Sequence, residues 1–318
     1  MRKIPAVLAV LSLAAVGLAG CAVPGSSECT RSAAADPEVA ELITVSGELG
    51  AKPTVDVRTP FHVDDVAFAD PVTGEGTAIV SEQQLVDVDV TLISGETGEV
   101  LATTVSDPPV VAPVSRWLQV FPPVYDALDC ATEGSRVVVA LPPGGVEAGV
   151  AESSGLAEDE SAIAVVDLHK VYLSKADGSN VYNTGHGLPT VVRAPDGRPG
   201  IIVPDGEAPT EVTVQTVKKG DGPVVTGDQP VRVHYTGVTW DERRVFDSTW
   251  DTEPASLTLD AVVPGFAQAL EGQTVGSQVM VVIPPIEDAG DKGPGSVPEN
   301  STLVYVIDIL GLDEVTSQ

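Results

Sequence analysis

Apolar and polar residues alternate most clearly in the second half of this 318-residue chain. Val231, Val233 and Tyr235 alternate with Arg232, His234 and Thr236. A period of two predicts a strand with one buried and one wet face. Leu303, Tyr305, Ile307 and Ile309 repeat the pattern near the C-terminus. Between them, Phe266-Ala267-Gln268-Ala269-Leu270 follows Pro264-Gly265, and proline in a first turn predicts a short helix start. The expected class is α+β, mainly strands around one short helix.

The chain repeats itself. ALDCATEGSRVVVALPP (127–143) aligns without a gap on ALEGQTVGSQVMVVIPP (269–285), with nine identities in seventeen positions. EDESAIAVVDL from Glu158 matches ENSTLVYVIDI from Glu299, and Val86-Asp87-Val88-Asp89-Val90 lies against Val231-Arg232-Val233-His234-Tyr235. All three matches fall at offsets between 141 and 145, which predicts a domain duplication rather than a short solenoid repeat. The expected organisation is a leader over 1–20, a tether over 21–40, a first copy over 41–173, a linker over 174–192 and a second copy over 193–318. The linker reading rests on Gly178, Asn180, Gly185, Gly187 and Pro189.

Charge and cysteines narrow the class. The net charge of −29 argues against nucleic acid and against electrostatic binding to anionic lipid. Solubility at a cell surface is the plain reading of the acidity, because pairs such as Asp64-Asp65 lack the regular oxygen spacing of a calcium loop. Arg2 and Lys3 precede an apolar run, Ile4 to Gly17, that is short for a membrane span. Leu18-Ala19-Gly20-Cys21 resembles the lipobox of bacterial lipoproteins, which implies a mature N-terminus at Cys21 carrying two or three acyl chains. Two or more chains anchor a protein stably. The alternative is an ordinary secreted protein with a chance cysteine. Cys29 and Cys130 then remain, and outside the cytoplasm a disulfide is the simplest expectation, against two free thiols.

No Ser-His-Asp order, phosphate loop or carboxylate pair stands out, and His62, His169 and His186 lack metal spacing. No cofactor and no metal are expected. His234 falls on the polar side of its strand and reads as solvated. Four blocks nevertheless stand in order over about eighty residues. They are Val233-His234-Tyr235-Thr236-Gly237, Val245-Phe246-Asp247-Ser248-Thr249, Val262-Val263-Pro264-Gly265-Phe266 running on to Ile283-Pro284-Pro285, and Pro298-Glu299-Asn300-Ser301-Thr302-Leu303-Val304-Tyr305-Val306-Ile307-Asp308. Together they resemble the FKBP-type peptidyl-prolyl isomerases.

That resemblance implies two tandem domains, each a half-open antiparallel sheet wrapped over one short helix. It implies catalysis of rotation about the bond before proline, in proline-containing polypeptide clients, with macrolides as further ligands. Residue by residue it makes Tyr235 and Phe246 pocket walls and Asp247 the buried acid beside the substrate carbonyl. Val262 and Val263 become the pair whose second amide donates to ligand. Phe266 becomes the floor, and Tyr305 the last-strand aromatic. Three departures are visible. Ala289 replaces a tyrosine whose hydroxyl reaches the ligand, the loop Asp291 to Val297 is one residue short, and an aromatic is missing near Ala255, where Trp250 is the candidate filler. In the first copy the matching positions hold Val90, Leu101, Ala102 and Ala164, so that copy is expected to be non-catalytic. The expectation is thus a lipid-anchored isomerase on the extracytoplasmic face of a bacterial membrane, with a non-catalytic scaffold lipoprotein as the alternative.

Overall fold

The computed structural model describes residues 29–31, 33–105, 110–182, 185–285 and 300–314. The first half contains strands β1 (Ile43–Ser46), β2 (Thr54–Val57), β3 (Ala67–Val72), β4 (Leu85–Ser94), β5 (Val100–Thr103), β6 (Ala112–Pro113), β7 (Arg136–Leu141) and β8 (Ala162–Val171). Its helices are α1 (Pro37–Leu42), α2 (Val114–Val120), α3 (Tyr125–Leu128) and α4 (Ala148–Ser154). The second half contains β9 (Ser179–Asn180), β10 (Thr190–Arg193), β11 (Pro199–Ile202), β12 (Thr213–Lys219), β13 (Val231–Thr239), β14 (Val245–Ser248), β15 (Ala255–Leu257), β16 (Gln278–Ile283) and β17 (Leu303–Leu312), with helix α5 (Pro264–Leu270).

The duplication is written into the sheets. The first runs β3-β7-β8-β4-β5 with β6 on β4, and the second runs β12-β16-β17-β13-β14 with β15 on β13. All pairings are antiparallel. The second sheet wraps one short helix. Val263 sits at ψ 145, the extended conformation that a following proline imposes, and Pro264 then opens α5. Phe266, Ala269 and Leu270 of that helix face Val279, Val281 and Ile283 of β16 and Tyr305, Ile307 and Ile309 of β17 in one buried core.

The expected wet face is not wet. Each sheet carries a β-hairpin across its outer side. In the first half β1–β2 brings Ile43, Val45, Val55 and Val57 onto Val138, Ala140, Ile163 and Val165. In the second, β10–β11 brings Val191 and Ile201 onto Met280, Val282, Val304 and Val306. Both faces of the central strands are therefore buried, and Thr236 is buried with them. A sequence signal for this was present: RVVVAL and QVMVVI are continuous apolar runs, the mark of a strand covered on both sides.

Buried polar pairs tie the covering segments down. Arg136 grips Asp167 with two hydrogen bonds of 2.6 Å and donates to the carbonyls of Gly47 and Glu48 in the β1–β2 turn. The matching pair in the second sheet is Gln278 and Asp308. Gln278 Nε2 donates to Asp308 Oδ1 at 2.7 Å, and Arg193 Nε of β10 donates to Gln278 Oε1 at 2.8 Å. Asp308 also accepts the Ala176 N–H at 2.8 Å. The stretch read as a linker thus joins the second sheet, where β9 pairs with β12. At the junction Leu173 N–H donates to Leu310 O, and the buried Tyr172 ring lies on Gly311, where a Cβ would meet Cδ1 at 2.6 Å. Cys29 and Cys130 are joined by a disulfide with Cα atoms 5.5 Å apart.

Candidate active site

Four aromatic rings converge over α5. Tyr235 comes from β13, Phe246 from β14, Phe266 from α5 and Tyr305 from β17. The Tyr305 ring meets Phe266 at 5.1 Å and 84°, Phe246 at 5.4 Å and 87°, and Tyr235 at 6.0 Å and 69°. Tyr235 meets Phe266 at 5.8 Å and 84°. These edge-to-face contacts put ring edges against ring faces, the arrangement aromatic quadrupoles favour. Phe266 and Tyr305 are each 5 % exposed, whereas Tyr235 and Phe246 are half-buried and form the open side.

The glycine of the first block has a steric reason to be there. A Cβ on Gly237 would lie 2.6 Å from Phe246 Cζ and 2.9 Å from Tyr305 Cε1. Only a residue without a side chain lets those two rings meet across β13.

One carboxylate enters the ring cluster. The Tyr235 hydroxyl donates to Asp247 Oδ2 at 2.7 Å. Burial, and then this hydrogen bond to Asp247, push the Tyr235 hydroxyl well above its usual pKa. It remains a neutral donor at physiological pH. Thr249 holds the strand behind it, with its Oγ1 accepting the Tyr235 N–H at 2.9 Å. Val262 is half-buried against the same core. Val263 is buried before α5, its carbonyl accepting the Phe266 and Ala267 N–H groups. Six of the expected pocket residues thus pack in or against one apolar core, and Asp247 joins them through Tyr235. Ala289 and the loop Asp291 to Val297 lie outside the described residues, as do Cys21 and the residues before it.

Two neighbours read differently from expectation. His234 is not solvated. Its ring stacks on Trp250 at 4.4 Å and 20°, and Nδ1 lies 2.9 Å from Thr249 Oγ1. Burial, with Arg198 adding repulsion, pushes its pKa down to about 4, so it is neutral at pH 7. Trp250 is therefore spent on the far side of the sheet, opposite Tyr235, and does not fill the space over Ala255. The outward side chains of β13 needed a cover, and Trp250 provides it.

The first copy lacks the site for more reasons than its side chains. Val90 and Ala164 are buried aliphatic positions and Leu101 is partly buried. Carrying the gap-free alignment back places Val120 and Phe121 at Val262 and Val263. There the chain forms α2, and the Phe121 N–H donates to Trp117 O at 2.8 Å. The amide that would meet a ligand is already bonded. This helix carries little sequence signal beyond Val114, Trp117, Leu118 and Phe121 at spacings of three and four.

A model of the FKBP-type peptidyl-prolyl cis-trans isomerase family matches residues 222–310. The FK506-binding protein of Streptomyces anulatus is 32 % identical over 120 residues, which are 36 % of this chain and 97 % of that protein. The chain belongs to the FKBP-type peptidyl-prolyl isomerases. The probable FK506-binding protein of Corynebacterium glutamicum is 31 % identical over 114 residues, again 36 % of this chain and 97 % of that protein. The crystal structure of FkpA from Escherichia coli is 28 % identical, covers 42 % of this chain and 55 % of its own, and aligns with a TM-score of 0.31. Membership assigns the chemistry: this FKBP-type enzyme catalyses cis-trans isomerisation of prolyl peptide bonds.

Proposed function

We propose that this FKBP-type isomerase works at the extracytoplasmic face of a bacterial membrane, anchored through lipid on Cys21. There it assists the folding of proline-containing proteins. The second domain (193–318) catalyses and the first (41–173) serves as a non-catalytic client-holding or spacing module. The observation that carries the catalytic assignment is the ring cluster around Tyr235 and Asp247, joined at 2.7 Å. The Leu18-Ala19-Gly20-Cys21 block supports the anchor.

The reaction needs no nucleophile and takes no proton from substrate. The uncatalysed X–Pro bond rotates in tens to hundreds of seconds, held by amide resonance. The planar amide is more dipolar than the twisted one. A dry aromatic site therefore disfavours the planar form relative to water and binds the twisted one better. Phe266 supplies the floor for the proline ring, and Phe246, Tyr235 and Tyr305 supply walls that exclude water. Asp247, oriented by Tyr235, places one polar group beside the substrate backbone. The Val263 N–H is a donor for a substrate carbonyl. A macrolide of the FK506 type, which offers carbonyls on an apolar ring, is expected to occupy the same site.

Cell fractionation of wild type and Cys21→Ser, with a proline-limited peptide assay on each fraction, tests both parts. Wild-type isomerase activity is expected in the membrane fraction, and soluble or unprocessed active protein from the variant. Processed Cys21→Ser protein still held in the membrane would overturn the anchor. Membrane-bound wild type without activity would leave the non-catalytic scaffold reading.

A further inference from the structure

Strand β13 changes neighbours beside the site. It pairs with β14 as far as Thr236 opposite Ser248, and with β15 only from Val233 opposite Ala255. Residues 249–254 leave the sheet in between, so neither strand reaches His234 and Tyr235 on that edge. A backbone N–H and carbonyl left there need partners. Thr249 supplies both to Tyr235. Its Oγ1 accepts the Tyr235 N–H at 2.9 Å, and its own N–H donates to the Tyr235 carbonyl at 3.1 Å. Thr249 is itself buried.

The Thr249 hydroxyl is held from the other side as well. Its oxygen accepts from Tyr235, so its proton is free for His234 Nδ1 at 2.9 Å, while the Tyr235 carbonyl is farther away at 3.5 Å. His234 is neutral at pH 7, so this nitrogen can accept. The His234 ring stacks on Trp250, and the Trp250 carbonyl accepts from Arg198 Nη2 at 2.8 Å. On the near face, two residues before Thr249, Asp247 accepts the Tyr235 hydroxyl at 2.7 Å. Tyr235 is therefore tied to one short segment at both ends, its backbone by Thr249 and its hydroxyl by Asp247.

The structure assigns Thr249 as a positioning residue for the isomerisation: backed by His234, it fixes the Tyr235 backbone so that the Tyr235 hydroxyl holds Asp247 in place. This rests on the site assignment above. Thr249 touches no substrate and acts only through Tyr235. The Trp250–His234 stack on the far face becomes part of the working site rather than plain cover. The site works by fitting the twisted amide better than the planar one, so a loosened Tyr235–Asp247 pair costs transition-state binding. The loss falls on kcat rather than KM.

Steady-state isomerisation of a proline-containing peptide by the full chain tests this with Thr249→Val, Thr249→Ser, Tyr235→Phe and the double variant Thr249→Val/Tyr235→Phe. Thr249→Val is expected to lower kcat about two- to tenfold at unchanged KM, the range of one neutral hydrogen bond. Thr249→Ser keeps the hydroxyl and is expected to restore kcat. The double variant is expected to be no slower than Tyr235→Phe alone, because both changes act on one hydroxyl. A folded Thr249→Val protein with wild-type kcat overturns the proposal, as does a Thr249→Ser as slow as Thr249→Val or a double variant with additive losses. Should Thr249→Val fail to fold, His234→Phe keeps a ring on Trp250 and removes the acceptor. It is expected to lower kcat, and a wild-type kcat there overturns the proposal equally. If Phe266→Ala is inactive while folded Thr249→Val behaves as wild type, the positioning role alone fails. If Phe266→Ala and Tyr235→Phe both keep wild-type kinetics, the site assignment beneath it fails as well.

Discussion

Gly237→Ala tests whether the meeting of Phe246 and Tyr305 matters to catalysis. The added methyl would lie 2.6 Å from Phe246 Cζ and 2.9 Å from Tyr305 Cε1. Ordinary carbon contacts are about 3.5–4.0 Å, so the rings must withdraw by about 1 Å. Overpacking of this kind costs about 1–3 kcal/mol, and domains hold about 5–15 kcal/mol, so the variant is expected to fold. The rings that retreat are the walls of the site, and a misplacement of about 1 Å can cost about a hundredfold in rate. The expected result is a drop in kcat/KM of tenfold or more, with a urea midpoint only modestly lower. A protease-coupled proline peptide assay on the full chain reads the rate, and circular dichroism reads the fold. A folded Gly237→Ala protein with wild-type kcat/KM would refute the claim that these rings form the catalytic wall.

Asp308 gives a pH signature. Burial lifts its carboxyl from the ordinary 3.8 to about 6 against the hydrogen bonds from Ala176 and Gln278. Between those values the folded chain holds a proton that the unfolded chain has lost, so stability falls as pH rises through the window. The size is about 3 kcal/mol, at 1.36 kcal/mol per pKa unit. The unfolding free energy of wild type minus that of Asp308→Asn is expected to fall by about this much from about pH 3, below the unfolded value, to about pH 7, above the folded one, and a pH-independent difference would contradict the burial cause. For the disulfide, thiol titration of oxidised protein should find Cys29 and Cys130 unreactive, and Cys130→Ser should lose on the order of 4 kcal/mol or less. Two free thiols there would contradict the pairing.

The parts of the fold legible in the sequence were those with short-range causes. The order of motifs around Tyr235, Phe246, Phe266 and Tyr305 is local, and Gly237 and Pro264 stand where a close approach and a helix start require them. The duplication was legible because it preserves pairing positions: Arg136–Asp167 and Gln278–Asp308 occupy equivalent places. What escaped was long-range covering. Nothing in Arg232-His234-Thr236 alone says that Trp250 and a hairpin from 190–202 will close over that face. The same holds for α2, whose short length leaves it dependent on tertiary packing. Glycines mark turns whether or not the segment between them is bound, so the pairing of β9 with β12 within 174–192 carries no signal in the sequence.

The central claim is that the ring cluster of the second domain is the sole isomerase site, working mainly by exclusion of water. Its most direct test is the rate constant for a proline-limited peptide with wild type, Phe266→Ala and Asp247→Asn full-length protein. Removing the floor forfeits burial worth roughly 1.5–3 kcal/mol per large apolar side chain, about ten- to a hundredfold in rate. Asp247→Asn keeps the shape and removes one charge, so its loss is expected to be smaller. The account predicts that Phe266→Ala removes nearly all the activity of the whole chain, first domain included. Full activity in a folded Phe266→Ala protein would contradict it.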